Sequence, residues 1–170
     1  MGLDYIYVDK GNDISALISA FSKVKDCDRP IAVHINTLKG KGYAPAEENK
    51  ENWHWHMPFD EKTGESKYYG GGESYDSLTC EYLMKKMKAD KRVVTVVAAV
   101  PTNIGFTEDK RKEAGKQFID VGIAEEHAVA MVSGIAKNGG KPVFATHSSF
   151  FQRTYDQISQ DLCINKNPAT

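Results

Sequence analysis

Residues 118–157 read FIDVGIAEEHAVAMVSGIAKNGGKPVFATHSSFFQRTYDQ, and this stretch decides the fold. Its centre, residues 124–137, predicts a helix in which Ala124, Ala128, Met131 and Ile135 form one apolar stripe and Val129, Val132 and Ala136 another beside it. Apolar residues on nearly the whole circumference imply burial on most sides. The polar residues Glu125, Glu126 and His127 gather in the first turn, where the helix N-terminus partly stabilises a carboxylate. On local pattern alone such an acidic first turn is an ordinary helix start. Short strands are predicted on either side, at residues 117–121 and 141–146, and a further helix at 149–165 from a serine cap.

Working outward, residues 75–88 predict a helix burying Leu78, Tyr82, Leu83 and Met87, followed by the strand RVVTVVA at 92–98. Strands alternating with helices indicate an α/β chain with parallel sheets flanked by helices. Only about three strands follow residue 74, fewer than the usual sheet of about 5–6, so this part reads as an unfinished domain. Towards the N-terminus, Asn12 or Asp13 can cap a helix carrying Ile14, Leu17, Ile18, Phe21 and Val24, and Pro30 precedes IAVHINT, which reads as a buried strand. From residue 38 to 73 the periodicity lapses. Loops of this length belong to functional sites or linkers, and this one reads as both: an active-site loop, then a flexible joint at Gly70, Gly71 and Gly72.

The balance of 170 residues, 41% hydrophobic and 26% charged, excludes a disordered tail and a collagen-like fibre. With 22 basic against 23 acidic side chains, no global field points to nucleic acid or a membrane surface. A small substrate or another protein surface fits better. No apolar run approaches the roughly 18 residues of a membrane helix, and MGLDYIYVDK lacks a signal-peptide core. Three scattered cysteines, Cys27, Cys80 and Cys163, indicate reduced thiols and a cytoplasmic setting.

The stretch quoted above resembles the pyrimidine-binding domain of the 1-deoxy-D-xylulose-5-phosphate synthase family, thiamine-diphosphate enzymes of the transketolase superfamily. The family pattern is D-V-G-I-A-E-Q-H-A, then a strand, then S-T-F-x-Q-R-x-Y-D-Q. Upstream, HINTLKGKGYAPAEENKENWHW resembles the family's H-x-x-T-x-K-G-x-G-Y-x-P-A-E segment, which precedes a catalytic histidine. The resemblance covers almost the whole chain. It implies residues 1–66 as the C-terminal part of a diphosphate-binding domain, 67–74 as a glycine-rich linker, and 75–170 as the N-terminal part of a pyrimidine-binding domain.

The resemblance also implies roles. Thiamine diphosphate acts once its own aminopyrimidine removes a proton from the thiazolium ring, which requires a buried carboxyl on the pyrimidine nitrogen N1′. Glu125 matches that glutamate, while Glu126 replaces the family's usual glutamine. Phe150 matches the aromatic residue on which the pyrimidine stacks; taken alone it would read as a core residue beside Phe151. Arg153 matches an arginine near the same pocket, and Tyr43 a cofactor-site tyrosine. His54 matches the active-site histidine, whose ordinary pKa near neutrality suits proton transfer, with His56 as second choice. A rival chemistry is a metal on His34, His54 and His56, but no carboxylate or cysteine at short spacing completes it. Gly40-Lys41-Gly42 is not a P-loop.

Departures from the family lie near the proposed site: His147 stands where tyrosine is common, and the loop reads WHWHMPFD. The superfamily's G-D-G…N segment, which holds the diphosphate through Mg²⁺, is absent, so the Mg²⁺ ligands are expected outside this chain and no metal ligand is assigned within it. The expectation is a fragment of a homodimeric synthase, inactive by itself. The intact enzyme would condense pyruvate with glyceraldehyde 3-phosphate, losing CO₂, to make a precursor of isoprenoids, thiamine and pyridoxal. The alternatives are a transketolase moving two-carbon units between sugar phosphates, and a non-catalytic interaction module that kept the scaffold.

Overall fold

The computed structural model describes residues 2–68 and 72–170, and the chain divides into two units, Met1–Gly70 and Gly71–Thr170. Of the three glycines read as a joint, Gly70 and Gly71 lie outside the described residues.

In the first unit, strand β1 (Asp4–Val8) leads into helix α1 (Ile14–Val24) and back to strand β2 (Ile31–Ile35). The strands pair in parallel, from Asp4 opposite Ile31 to Val8 opposite Ile35. The Asp13 carboxylate caps α1, accepting from the amides of Ser15 at 2.8 Å and Ala16 at 3.2 Å. Burial corrects the expectation here. Strand β2 is half-buried at most and His34 is exposed, while α1 buries only Ala20 and leaves Ile14, Ile18 and Phe21 open. A two-stranded sheet has two open edges and one covering helix, too little surface to bury either element. Gly11 is held where its amide donates to the Asn36 carbonyl at 2.9 Å, and a Cβ would stand 2.3 Å from that oxygen. The stretch without periodicity holds a short helix, α2 (Ala44–Glu48), started by Pro45. It also holds a turn in which the Asp60 carboxylate accepts from the amides of Lys62 and Thr63.

The second unit is built on a parallel sheet of order β4–β3–β5: β3 (Val93–Val97) at the centre, β4 (Phe118–Asp120) and β5 (Lys141–Ala145) at its sides. Helix α3 (Tyr75–Ala89) covers one face, with Cys80, Leu83, Met84, Met87, Val93 and Phe106 in its core; helix α5 (Glu125–Lys137) covers the other, with Val96, Ala98, Ala128, Val129, Val132 and Phe144. Strand β3 is buried on both faces, which is why it reads as an unbroken β-branched run. The architecture is therefore α/β with parallel sheets flanked by helices, as the sequence indicated.

Four features depart from expectation. Helix α3 turns Cys80, Leu83, Met84 and Met87 inward and leaves Leu78 44% and Tyr82 59% exposed, because two stripes at helical spacing compete and the sheet takes the flexible methionines. Helix α5 is buried towards the sheet and the C-terminal segment, but His127, Ala130 and Gly134 face outward. Residues 149–165 are not one α-helix from a serine cap. They form a 3₁₀ turn (Phe151–Thr154), a short α turn (Tyr155–Gln157) and a π-helical turn (Ile158–Ile164). Side chains widen that last turn: the Ser133 hydroxyl donates to the Asp161 carbonyl at 2.7 Å, and the Asn167 amide donates to both at 2.8 and 3.2 Å. Finally, β1, the 3₁₀ turn Pro101–Ile104 and the charged helix α4 (Glu108–Ala114) were not read from the sequence.

Candidate functional site

The site begins where β4 ends. The Asp120 carboxylate accepts from the amides of Ala99 and Gly122, each at 2.9 Å. This holds Ala99 at a φ of 60°, in the left-handed region that is strained for alanine, beside the start of α5. Asp120 was missed as a site-forming residue; its place two residues before a glycine at a strand end was the available signal.

Glu125 opens α5 and is 2% exposed, the most buried ionisable side chain of this region. An unpaired carboxylate at that depth is costly. Arg153, from the 3₁₀ turn packed on α5, supplies the partner: Nη1 donates to Glu125 Oε2 at 2.8 Å and Nε donates to Glu126 Oε1 at 3.2 Å. The Arg153 side chain is 42% exposed, so the pair joins a dry carboxylate to a half-wet guanidinium. Phe150, just before that turn, is partly exposed and meets His147 edge to face at 5.2 Å, while His147 Nε2 contacts the Asn103 amide. The buried Thr146 hydroxyl, just after β5, has no hydrogen-bond partner among the described residues. A buried carboxyl suits hydrogen bonding to a flat, nitrogen-bearing heterocycle, and an exposed aromatic face suits stacking on one.

The first unit holds the other predicted residues. Tyr43 packs edge to face on Trp53 at 5.0 Å and near Phe59 at 5.9 Å; its hydroxyl is buried beneath Gly64 without a hydrogen-bond partner among the described residues. His56 stacks on Trp53 at 4.5 Å and donates through Nδ1 to the Met57 carbonyl at 2.9 Å. His54 is exposed, with Nδ1 against the Lys39 ammonium. His34 accepts from the Tyr5 hydroxyl at 2.7 Å and meets Tyr5 and Tyr7 edge to face. The three histidines of the rival metal reading thus have separate partners, and among the described residues no three metal-ligating side chains cluster. A cleft of about 520 Å³ lies at the carboxyl ends of β1 and β2, lined by Asp9, Lys10, Asn12, Asn36 and Lys41. In parallel sheets that edge is where ligands settle. Glu125, Glu126 and Arg153 therefore meet in one unit, while Tyr43, His54 and His56 belong to the other.

Comparison with known proteins agrees with this organisation. The family described as transketolase, pyrimidine binding domain, matches residues 74–170. Over 170 residues the chain is 42% identical to 1-deoxy-D-xylulose-5-phosphate synthase 2 of Geobacter sulfurreducens, covering 99% of this chain and 27% of that protein. It is 40% identical to 1-deoxy-D-xylulose-5-phosphate synthase of Halothermothrix orenii (100% and 27% covered) and 41% identical to that of Thermosynechococcus vestitus (99% and 26% covered). The chain thus spans about a quarter of the length of these curated relatives.

Proposed function

Because this chain belongs to the transketolase pyrimidine-binding-domain family, we propose that it is part of a thiamine-diphosphate-dependent transferase of the 1-deoxy-D-xylulose-5-phosphate synthase type. Its substrates are pyruvate and glyceraldehyde 3-phosphate, joined with loss of CO₂; the protein is a cytoplasmic homodimer. Among the described residues no helix is long and apolar enough to cross a membrane, which accords with that setting. Residues 1–66 are read as the end of a diphosphate-binding domain, 67–74 as a linker and 75–170 as the start of the pyrimidine-binding domain. The family match from residue 74 supports that division.

The observation that carries the reading is Glu125, a carboxyl 2% exposed at the start of an otherwise apolar helix. Bound thiamine diphosphate supplies a carbon nucleophile and an electron sink for the two-carbon unit of pyruvate. Glu125 would be the residue to hold the pyrimidine ring through a shared proton, a bond its burial would strengthen. Phe150 offers its face to the pyrimidine, and Arg153 holds Glu125. Tyr43, packed on Trp53 within the first unit, would be the cofactor-site tyrosine that the resemblance implies. His54, exposed where His56 is stacked on Trp53, would move protons on the substrate. Mg²⁺ would take its oxygen ligands from residues other than these.

The test is CO₂ release from pyruvate in the presence of glyceraldehyde 3-phosphate, measured on the protein that carries this chain. Glu125→Gln is expected to lower kcat by about 10²–10⁴-fold, and an unchanged rate removes Glu125 from the mechanism. Two-carbon transfer between sugar phosphates without CO₂ release would instead indicate a transketolase, and no turnover at all a non-catalytic module.

A further inference from the structure

The three-membered arrangement Glu126–Arg153–Glu125 asks what the second carboxylate is for. Among the described residues, the side chain of Glu125 is bonded at Oε2 only, by Arg153 Nη1 at 2.8 Å. The guanidinium is held from behind, its Nε donating to Glu126 Oε1 at 3.2 Å. A guanidinium is planar and rigid, so two anchors at Nε and Nη1 fix its plane and, through it, the plane of the Glu125 carboxyl. Glu126 stands where the resembled family carries glutamine, and a carboxylate holds a guanidinium more strongly than a neutral amide does. The anchor is half-exposed and leaves Glu125 itself untouched.

We propose that Glu126 and Arg153 are positioning residues: Glu126 holds the guanidinium, the guanidinium holds Oε2 of Glu125, and Oε1 of Glu125 is left to bond the ring nitrogen of a flat heterocycle. The inference rests on the reading of Glu125 above and adds to it the device that orients the carboxyl. Arg153 then acts on the ligand through Glu125 and not by contact.

The test uses the chain labelled with ¹³C and ¹⁵N and the variants Glu126→Gln and Arg153→Lys. In the wild type the Arg153 Nε–H is expected to be protected from solvent exchange. Glu126→Gln is expected to weaken that protection and to move the carboxyl carbon signal of Glu125, which it does not touch. Arg153→Lys keeps the charge but lacks the planar guanidinium that links both carboxylates, so the carboxyl carbon signal of Glu125 should move in that variant as well. Calorimetric titration of the protein that carries this chain with thiamine diphosphate and Mg²⁺ is the second arm, with binding to its Glu126→Gln variant expected about two- to fivefold weaker. An unmoved Glu125 signal in either variant overturns the positioning role while wild-type binding keeps the reading of Glu125. A moved signal with no binding even in the wild type overturns the reading of Glu125 and its ligand instead.

Discussion

The guanidinium of Arg153 and the carboxylate of Glu125 are bonded at 2.8 Å across a steep change of environment, the first 42% and the second 2% exposed. Such a pair stabilises the fold mainly by sparing a buried charge from isolation. Arg153→Met is expected to cost about 1–3 kcal/mol, because it strands that charge. Adding Glu125→Gln to it should recover part of the loss, since a neutral amide needs no counter-ion. Urea unfolding of the two single variants and the double variant reads the coupling, and strictly additive costs would mean the two residues stabilise the fold independently.

Asp90 sets the response to acid. Arg92 donates to it through its side chain, Lys141 does so at 2.8 Å and the Arg92 amide at 2.9 Å, together holding its carboxyl well below the usual carboxylate range. A carboxyl lowered by folding contributes stability above its unfolded value and loses it as pH falls through the lowered one. Asp90→Asn should therefore melt below the wild type at pH 7, with the gap closing under about pH 4. Melting temperatures across pH 2–8 check this, and a gap that persists in acid would place the effect outside the ion pairs.

Gln117 ties three carbonyls together. Its side-chain amide donates to Met87 at 3.0 Å, Asp90 at 3.1 Å and Val93 at 2.8 Å, closing the end of α3 onto the start of β3. Gln117→Ala leaves these partly buried acceptors short of a donor and should cost about 1–3 kcal/mol in chemical denaturation. Gln117→Glu, which has no hydrogen to give in its ionised form, should be no better.

The three thiols divide by depth. Cys27 and Cys163 are exposed, whereas Cys80 is 3% exposed in the α3 core, where burial pushes its thiol up against a smaller lowering from Lys110. Thiolate is the reactive form. A chromogenic disulfide at pH 8 is expected to titrate two thiols quickly and the third only in denaturant. Three fast thiols would mean that α3 opens readily.

How much was legible in the sequence depended on how local the deciding force was. The doubly buried β3 announced itself as RVVTVVA because every residue there meets apolar surface, and α5 stood out because its acidic residues gather in the first turn ahead of an apolar run. Asp13 was readable as a cap because capping joins residues two and three apart. The phase of α3 was not, since Leu78 and Tyr82 compete at the same spacing with Cys80 and Met84, and only the sheet beneath chooses. The π-helical turn was hidden too, because Ser133 and Asn167 reach Asp161 from outside the segment.

The same division holds at the site. Residue types and order by themselves indicated the α/β alternation and the family, and the resemblance singled out Glu125, Arg153, Phe150, Tyr43 and His54 as the residues to watch. Tertiary structure alone decided that Arg153 bridges the two glutamates, that Asp120 braces the turn before them and that Tyr43 turns its hydroxyl inward under Gly64. The physical reason is range: caps and periodicity act within a few residues, whereas a buried carboxylate's partner lies 28 residues away along the chain and is chosen by packing.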